Sequence, residues 1–155
     1  MTTDTAALDT LLAEHAIHRL VLDAQHALDT KAFDEFVQLF VPEGRLYRPT
    51  TPEPLVGREA ILQAYLNNPP NRLNRHLVTN QRVTLLSDTE ARALAYVTLY
   101  SSEAGERESD VFGAPVHRSL VGEYHDHCVL TDDGWRLKER RALFVLNQPI
   151  ASQQP

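Results

Sequence analysis

The chain has 155 residues, the usual length of one domain, and 43% of them are hydrophobic, enough to bury a sizeable core. Its net charge of −6, with basic residues scattered along the chain, excludes a phosphate-attracting field and so excludes nucleic acid as a partner. A single cysteine, Cys128, excludes an internal disulfide framework. No apolar run approaches the roughly 20 residues that span a bilayer, and the polar, acidic start Met1–Asp9 lacks a signal peptide's pattern. The expectation is a soluble, cytoplasmic chain with no membrane partner.

One domain is expected over residues 8–147, with flexible termini at 1–7 and 148–155. Leu8, Leu11, Leu12, Ile17, Leu20, Val21, Ala24 and Leu28 recur at helical spacing and predict a first helix over 8–28. His15 and His18 share a face of it, but no nearby Cys or carboxylate completes a ligand set, so no metal is expected. Asp29-Thr30-Lys31 breaks the pattern. A second helix follows with Phe33, Phe36, Val37, Leu39 and Phe40 as its apolar face, stopped by Pro42-Glu43-Gly44. Arg45–Arg48 reads as a short strand, and Pro49, Pro52 and Pro54 as a rigid loop. Gly57 precedes a third helix, Arg58–Asn67.

Beyond it the periodicity changes from helical to alternating. Runs at 76–86, 91–101, 116–131 and 135–146 are β-branched or aromatic. Turns lie at 87–90 and 131–134, and 102–115 reads as a long loop. Helices first and then strands joined by short turns predict an α+β domain, with three N-terminal helices packed on a curved antiparallel sheet and a pocket enclosed between them. Leu12, Leu20, Phe36, Phe40, Leu62, Val97 and Leu143 are the expected core. Apolar residues on both parities of the strands (Val83, Leu85 and Leu86; Val97, Leu99 and Tyr100) predict a homodimer through the outer sheet face.

The chemistry-bearing candidate is His76, at the head of an apolar strand after a loop rich in Pro and Asn. Histidine moves protons near neutral pH and needs a partner to orient it. Asp29, at the end of the first helix, is that partner. The plainer readings are that His76 packs at a strand edge and that Asp29 caps the next helix.

The pieces Ala27-Leu28-Asp29-Thr30-Lys31-Ala32-Phe33, Gly57-Arg58-Glu59-Ala60-Ile61, Arg75-His76-Leu77-Val78-Thr79-Asn80, Gly122-Glu123-Tyr124-His125-Asp126 and Gly134-Trp135-Arg136-Leu137, in this order and spacing, resemble the nuclear transport factor 2-like superfamily and, within it, the SnoaL-like group. The resemblance implies a cone-shaped, strongly curved sheet with a deep apolar pocket. Several members are dehydratases or dehydrochlorinases that use an Asp–His pair and no metal or organic cofactor, at positions matching Asp29 and His76. Steroid isomerases of this fold carry an acidic hydrogen-bond donor at a position matching Asp126. Their base stands where this chain has Arg48, which argues against that chemistry. Ala24 stands where related dehydratases carry Tyr or Lys, so a proton donor must come from Tyr100, Tyr47, Tyr124 or Arg140.

The pocket is therefore expected to be walled by Tyr47, Tyr100, Tyr124, Asp126 and Arg140. Asp126 paired with Arg140 as a buried ion pair, and Tyr100 as an ordinary sheet aromatic, are the structural alternatives. Gly122 reads as a strand kink and Trp135 as a core anchor. The expected function is cofactor-independent acid–base catalysis, by a lyase, dehydratase or isomerase, on a small, largely apolar polyketide, terpenoid or aromatic molecule. The alternative is a non-catalytic binding or accessory subunit. A hydrogen-bonded Asp29–His76 contact inside a pocket favours the enzyme, and a solvent-exposed His76 the binder.

Overall fold

The computed structural model describes residues 2–105 and 111–149. Helix α1 spans Thr2–Asp29, α2 Phe33–Gln38 and α3 Arg58–Leu66. Strands follow as β1 Phe40–Tyr47, β2 Leu55–Val56, β3 Arg72–Leu85, β4 Glu90–Glu103, β5 Arg118–Thr131 and β6 Gly134–Pro149. The strands form one sheet in the order β2-β1-β6-β5-β4-β3. Every pairing is antiparallel except β1 with β6, which is parallel, so the sheet is mixed where a purely antiparallel one was expected.

A short β2 forms just after the expected proline-rich loop and β6 runs on to Pro149, and three further boundaries differ from the sequence reading. First, α1 is helical from Thr2 rather than from Leu8. Second, Phe40 is not the last residue of the second helix but the first of β1. That strand runs straight through Pro42-Glu43-Gly44, with a register shift against β6 between Phe40 and Arg45. Proline is tolerated there because such an irregularity removes the need for its missing N–H. Third, β3 begins at Arg72, so His76 lies inside the strand and not at its head.

The core forms where α1, α2 and α3 meet the inner sheet face. Ile17, Leu20, Val21, Ala24, Phe36, Phe40, Leu46, Ile61, Ala91, Ala95, Cys128 and Leu137 are buried together, and Trp135 anchors the edge. Phe36 meets Phe40 and Tyr65 edge-on, with ring centroids 5.3 and 5.2 Å away. Of the expected core, Leu20, Phe36, Phe40 and Val97 are buried and Leu62 half-buried, whereas Leu12 and Leu143 are 56% and 48% exposed. Leu12 lies on the N-terminal half of α1, where every side chain from Asp4 to Leu12 is exposed.

Curvature has local causes. Asn80 adopts φ 52° where the β3–β4 register shifts between Thr79 and Arg82, the left-handed geometry Asn tolerates best among non-glycines. Gly122 sits at the β5–β6 register shift, where an added Cβ would lie 2.2 Å from the Leu143 carbonyl oxygen. Only glycine allows that approach, which is the kink expected from the sequence. No helix among the described residues is long and apolar enough to cross a membrane.

Candidate functional site

The end of α1 positions the first site residue. Lys31 stands at φ 61°, Ala32 N–H donates to Ala27 O (2.8 Å) and Lys31 N–H to Leu28 O (3.2 Å). This pair of bonds is a Schellman ending, with lysine in the left-handed position usually held by glycine. The chain turns sharply, and Asp29, in the last helical turn, projects toward β3. A carboxylate at a helix C-terminus opposes the helix dipole, so it needs donors from elsewhere. β3 supplies two: His76 N–H donates to Asp29 Oδ2 at 2.8 Å, and His76 Nδ1 lies 2.6 Å from Asp29 Oδ1. An ionised carboxylate only accepts. The proton of the neutral ring therefore sits on Nδ1, and Nε2 keeps its lone pair.

Both side chains are mostly shielded, 11% exposed for His76 and 14% for Asp29. Asp29 does not cap the following helix. The residue before α2 is Ala32, and no side chain caps it. Between the helices and the inner sheet face lies a cavity of about 440 Å³, and Asp29 and His76 are on its wall. Phe33, Phe36, Leu46, Val97, Leu99 and Leu120 give it apolar sides, and the loop Asn68-Pro69-Pro70 forms part of its rim. The Lys31 ammonium bonds the Pro70 carbonyl and ties that loop to the end of α1.

A second polar group closes the cavity from another side. Arg140 on β6 donates from Nε and a terminal nitrogen to the two oxygens of Asp126, at 2.8 and 2.7 Å. Its other terminal nitrogen donates to Gln25 Oε1 at 2.9 Å. Gln25 Nε2 donates to the Tyr124 hydroxyl at 2.8 Å, and the guanidinium lies 4.3 Å from the Tyr124 ring centroid. The ion-paired side chains are at most 2% exposed. Burial first, and then the neighbouring Asp126, push the Cys128 thiol up to about 12. Burial likewise raises the Tyr124 and Tyr65 phenols above 10.0, in both cases against the opposing field of Arg140, so both remain neutral donors near neutral pH.

Of the expected cavity wall, Tyr124 and Arg140 line it; Tyr47, Tyr100 and Asp126 do not. Tyr100 alternates to the outer sheet face, 41% exposed, while its neighbour Leu99 points inward. Tyr47 stacks under Arg141, 3.7 Å from guanidinium to ring. Asp126 is held behind Arg140, as the structural alternative had it, and an ion-paired carboxylate does not serve as a protonated donor. Polar lining residues not proposed from the sequence include Gln25, Lys31, Arg48, Tyr65 and Asn74. Tyr65 carries a recognisable signal, a polar-tipped aromatic on the apolar face of α3. Gln25 carries none, because its role depends on a strand a hundred residues away. Of the loops flanking the pocket, 49–57 contributes Pro49 and Thr50, and no described residue of 102–115 lines the cavity. No cluster of three His, Cys, Asp or Glu suited to a metal occurs among the described residues.

Residues 9–141 match the SnoaL-like domain, and the chain belongs to that family. Its fold is shared with solved structures across nearly the whole chain. One is a protein from Novosphingobium aromaticivorans DSM 12444 provisionally named as a scytalone dehydratase (22% identity, 95% of this chain and 93% of that one, TM-score 0.79). Another is LinA (19% identity, 94% and 95%, TM-score 0.79), and a third is a hexachlorocyclohexane dehydrochlorinase, LinA type 2 (16%, 94% and 94%, TM-score 0.75). At these identities the likeness is one of fold. Comparison with curated protein sequences gives no match.

Proposed function

We propose that this protein is a cofactor-independent lyase, a dehydratase or related eliminase, with an isomerase as the variant that retains the proton. Its substrate is a small, largely apolar molecule of polyketide, terpenoid or aromatic type. The observation that carries the reading is the 2.6 Å contact of His76 Nδ1 with Asp29 on a cavity wall, with no hydrogen bond at Nε2 among the described residues. In this scheme Nε2 takes a proton from a carbon next to a leaving group or carbonyl. The C–H electron pair becomes the new π bond as the leaving group departs with its own pair. Asp29 holds the ring in the required tautomer and stabilises the imidazolium. Tyr124 and Arg140 are the donors available to the leaving group or to a developing oxyanion. That two of the fold relatives bear dehydratase or dehydrochlorinase names supports the reaction class.

The test is the tautomer. Nitrogen-15 shifts of ligand-free protein should place the neutral His76 proton on Nδ1 in the wild type and lose that preference in Asp29→Asn. An unchanged tautomer balance would remove the dyad. Once a substrate is in hand, His76→Ala should abolish turnover with the fold intact, and Asp29→Asn should cost about two to four orders of magnitude in rate. The second reading, a non-catalytic binder, is favoured by fully buried Ala24, which offers no proton donor where related enzymes carry one. It predicts unchanged ligand chemistry with and without His76.

The assembly we propose is a homodimer through the outer sheet face, where Leu77, Tyr96 and Tyr100 are 49%, 45% and 41% exposed. Light scattering at micromolar concentration should give twice the chain mass, and a monomer would reject it.

A further inference from the structure

We infer that the substrate carries a carboxylate and that Arg48 is the residue that binds it; this rests on the reading of the cavity as a small-molecule site and specifies the class of molecule it takes. The chain is acidic overall, yet its cavity wall is not. Four cations line it, Lys31, Arg48, Arg72 and Arg140, against two carboxylates, Asp29 and Glu123. The carboxylates are committed, Asp29 to His76 and Glu123 to His125 Nε2 at 2.8 Å. Arg140 is neutralised by Asp126. Lys31 is exposed and bound to the Pro70 carbonyl. Arg72 is exposed at the rim.

Arg48 differs from all of these. It directly follows β1 and is half-buried on the wall. No carboxylate lies within ion-pair distance of it among the described residues. Its Nε is buried and has no hydrogen-bond partner. Buried polar groups are almost always paired, and a guanidinium cannot relieve the cost by losing its proton. Arg48 lines the cavity, and a guanidinium with no described carboxylate to match its charge is best matched by a carboxylate ligand in a bidentate pair. Its surroundings indicate what is attached to that carboxylate. Tyr65, which feels the Arg48 charge, stacks on Phe33 with centroids 5.6 Å apart, and both rings line the cavity. An aromatic or conjugated acid places its anion on Arg48 and its flat framework against those rings, in the cavity that His76 also lines.

Calorimetry at pH 7 with three acids and their amides tests this: benzoate, trans-cinnamate and 2-naphthoate against the matching carboxamides, with phenyl phosphate as a further arm. At least one acid should bind about tenfold or more tightly than its amide, which is the effect of about 1.4 kcal/mol, and added salt should narrow the gap. Arg48→Gln should abolish the preference, while Arg48→Lys, which keeps the charge but not the fork, should retain part of it. Near-ultraviolet dichroism and the His76 nitrogen shifts check that each variant is folded. Amides binding as tightly as acids throughout, an acid preference surviving in Arg48→Gln, or phenyl phosphate outcompeting every carboxylate would each overturn the assignment. The tautomer measurement on ligand-free protein tests the base independently, so loss of either idea leaves the other standing.

Discussion

Two aspartates in this molecule each accept two hydrogen bonds from one partner residue, with opposite consequences. Asp126 receives both from Arg140, and Gln25 accepts from the same guanidinium and donates to the Tyr124 hydroxyl. Asp29 receives a backbone N–H and a ring nitrogen from His76, and the second ring nitrogen of this cavity-lining residue has no hydrogen-bond partner among the described residues. The first arrangement is closed and joins α1, β5 and β6. The second is open at one atom. A buried charge matched by its partner makes a structural brace, and a ring nitrogen left over on a rigid support is the group the proposed base would use.

Breaking the closed pair should have the largest effect on the fold. Asp126→Ala leaves a buried guanidinium uncompensated and should cost about 3–5 kcal/mol in urea unfolding. Asp29→Asn keeps an acceptor oxygen toward β3 and should cost about 1 kcal/mol, with its main penalty in rate. Equal losses of stability in the two variants would erase the distinction between brace and base.

A smaller effect is expected in alkali. Burial raises the Tyr124 and Tyr65 phenols above 10.0 in the folded chain. The unfolded chain then loses those protons first as pH rises, so folding stability should be intact below about pH 10 and fall above it. Phenolate absorbance from these two rings should appear only with unfolding. Their ionisation in the native protein at pH 10 would show the network to be solvated rather than closed.

The smallest effect concerns Cys128, which is fully buried beside the brace and has its thiol raised to about 12. It should resist a thiol reagent at pH 8 in native protein and react on denaturation, because the thiolate is the nucleophile. Rapid native labelling would mean that this end of the core opens.

Much of the architecture was legible from local signals. The change from helical to alternating periodicity after residue 67 separates the helices from the long strands, and Gly122 and Trp135 take the places expected of a kink and an anchor. The Asp29–His76 pairing was expected from the family resemblance and from histidine's need for an orienting partner, with a helix cap left open for Asp29 until the structure showed the carboxylate bonded to His76 instead. What failed was position along and across strands. Tyr100 and Leu99 are adjacent and both suit a sheet, and only the facing helices decide which of them points inward.

The sequence by itself determined the change from helical to strand segments and the kink, since each depends on periodicity or on what a residue type can do, while the pairing of Asp29 with His76 was reached through the family resemblance. Tertiary structure alone decided that Asp126 and Arg140 neutralise each other, that Gln25 links them to Tyr124, and that Arg48 lines the cavity with no carboxylate paired to it among the described residues. Those outcomes depend on contacts between residues up to 115 positions apart. Charge pairing in a low-dielectric interior is set by which side chains the curved sheet brings within a few ångströms, and no local pattern encodes that.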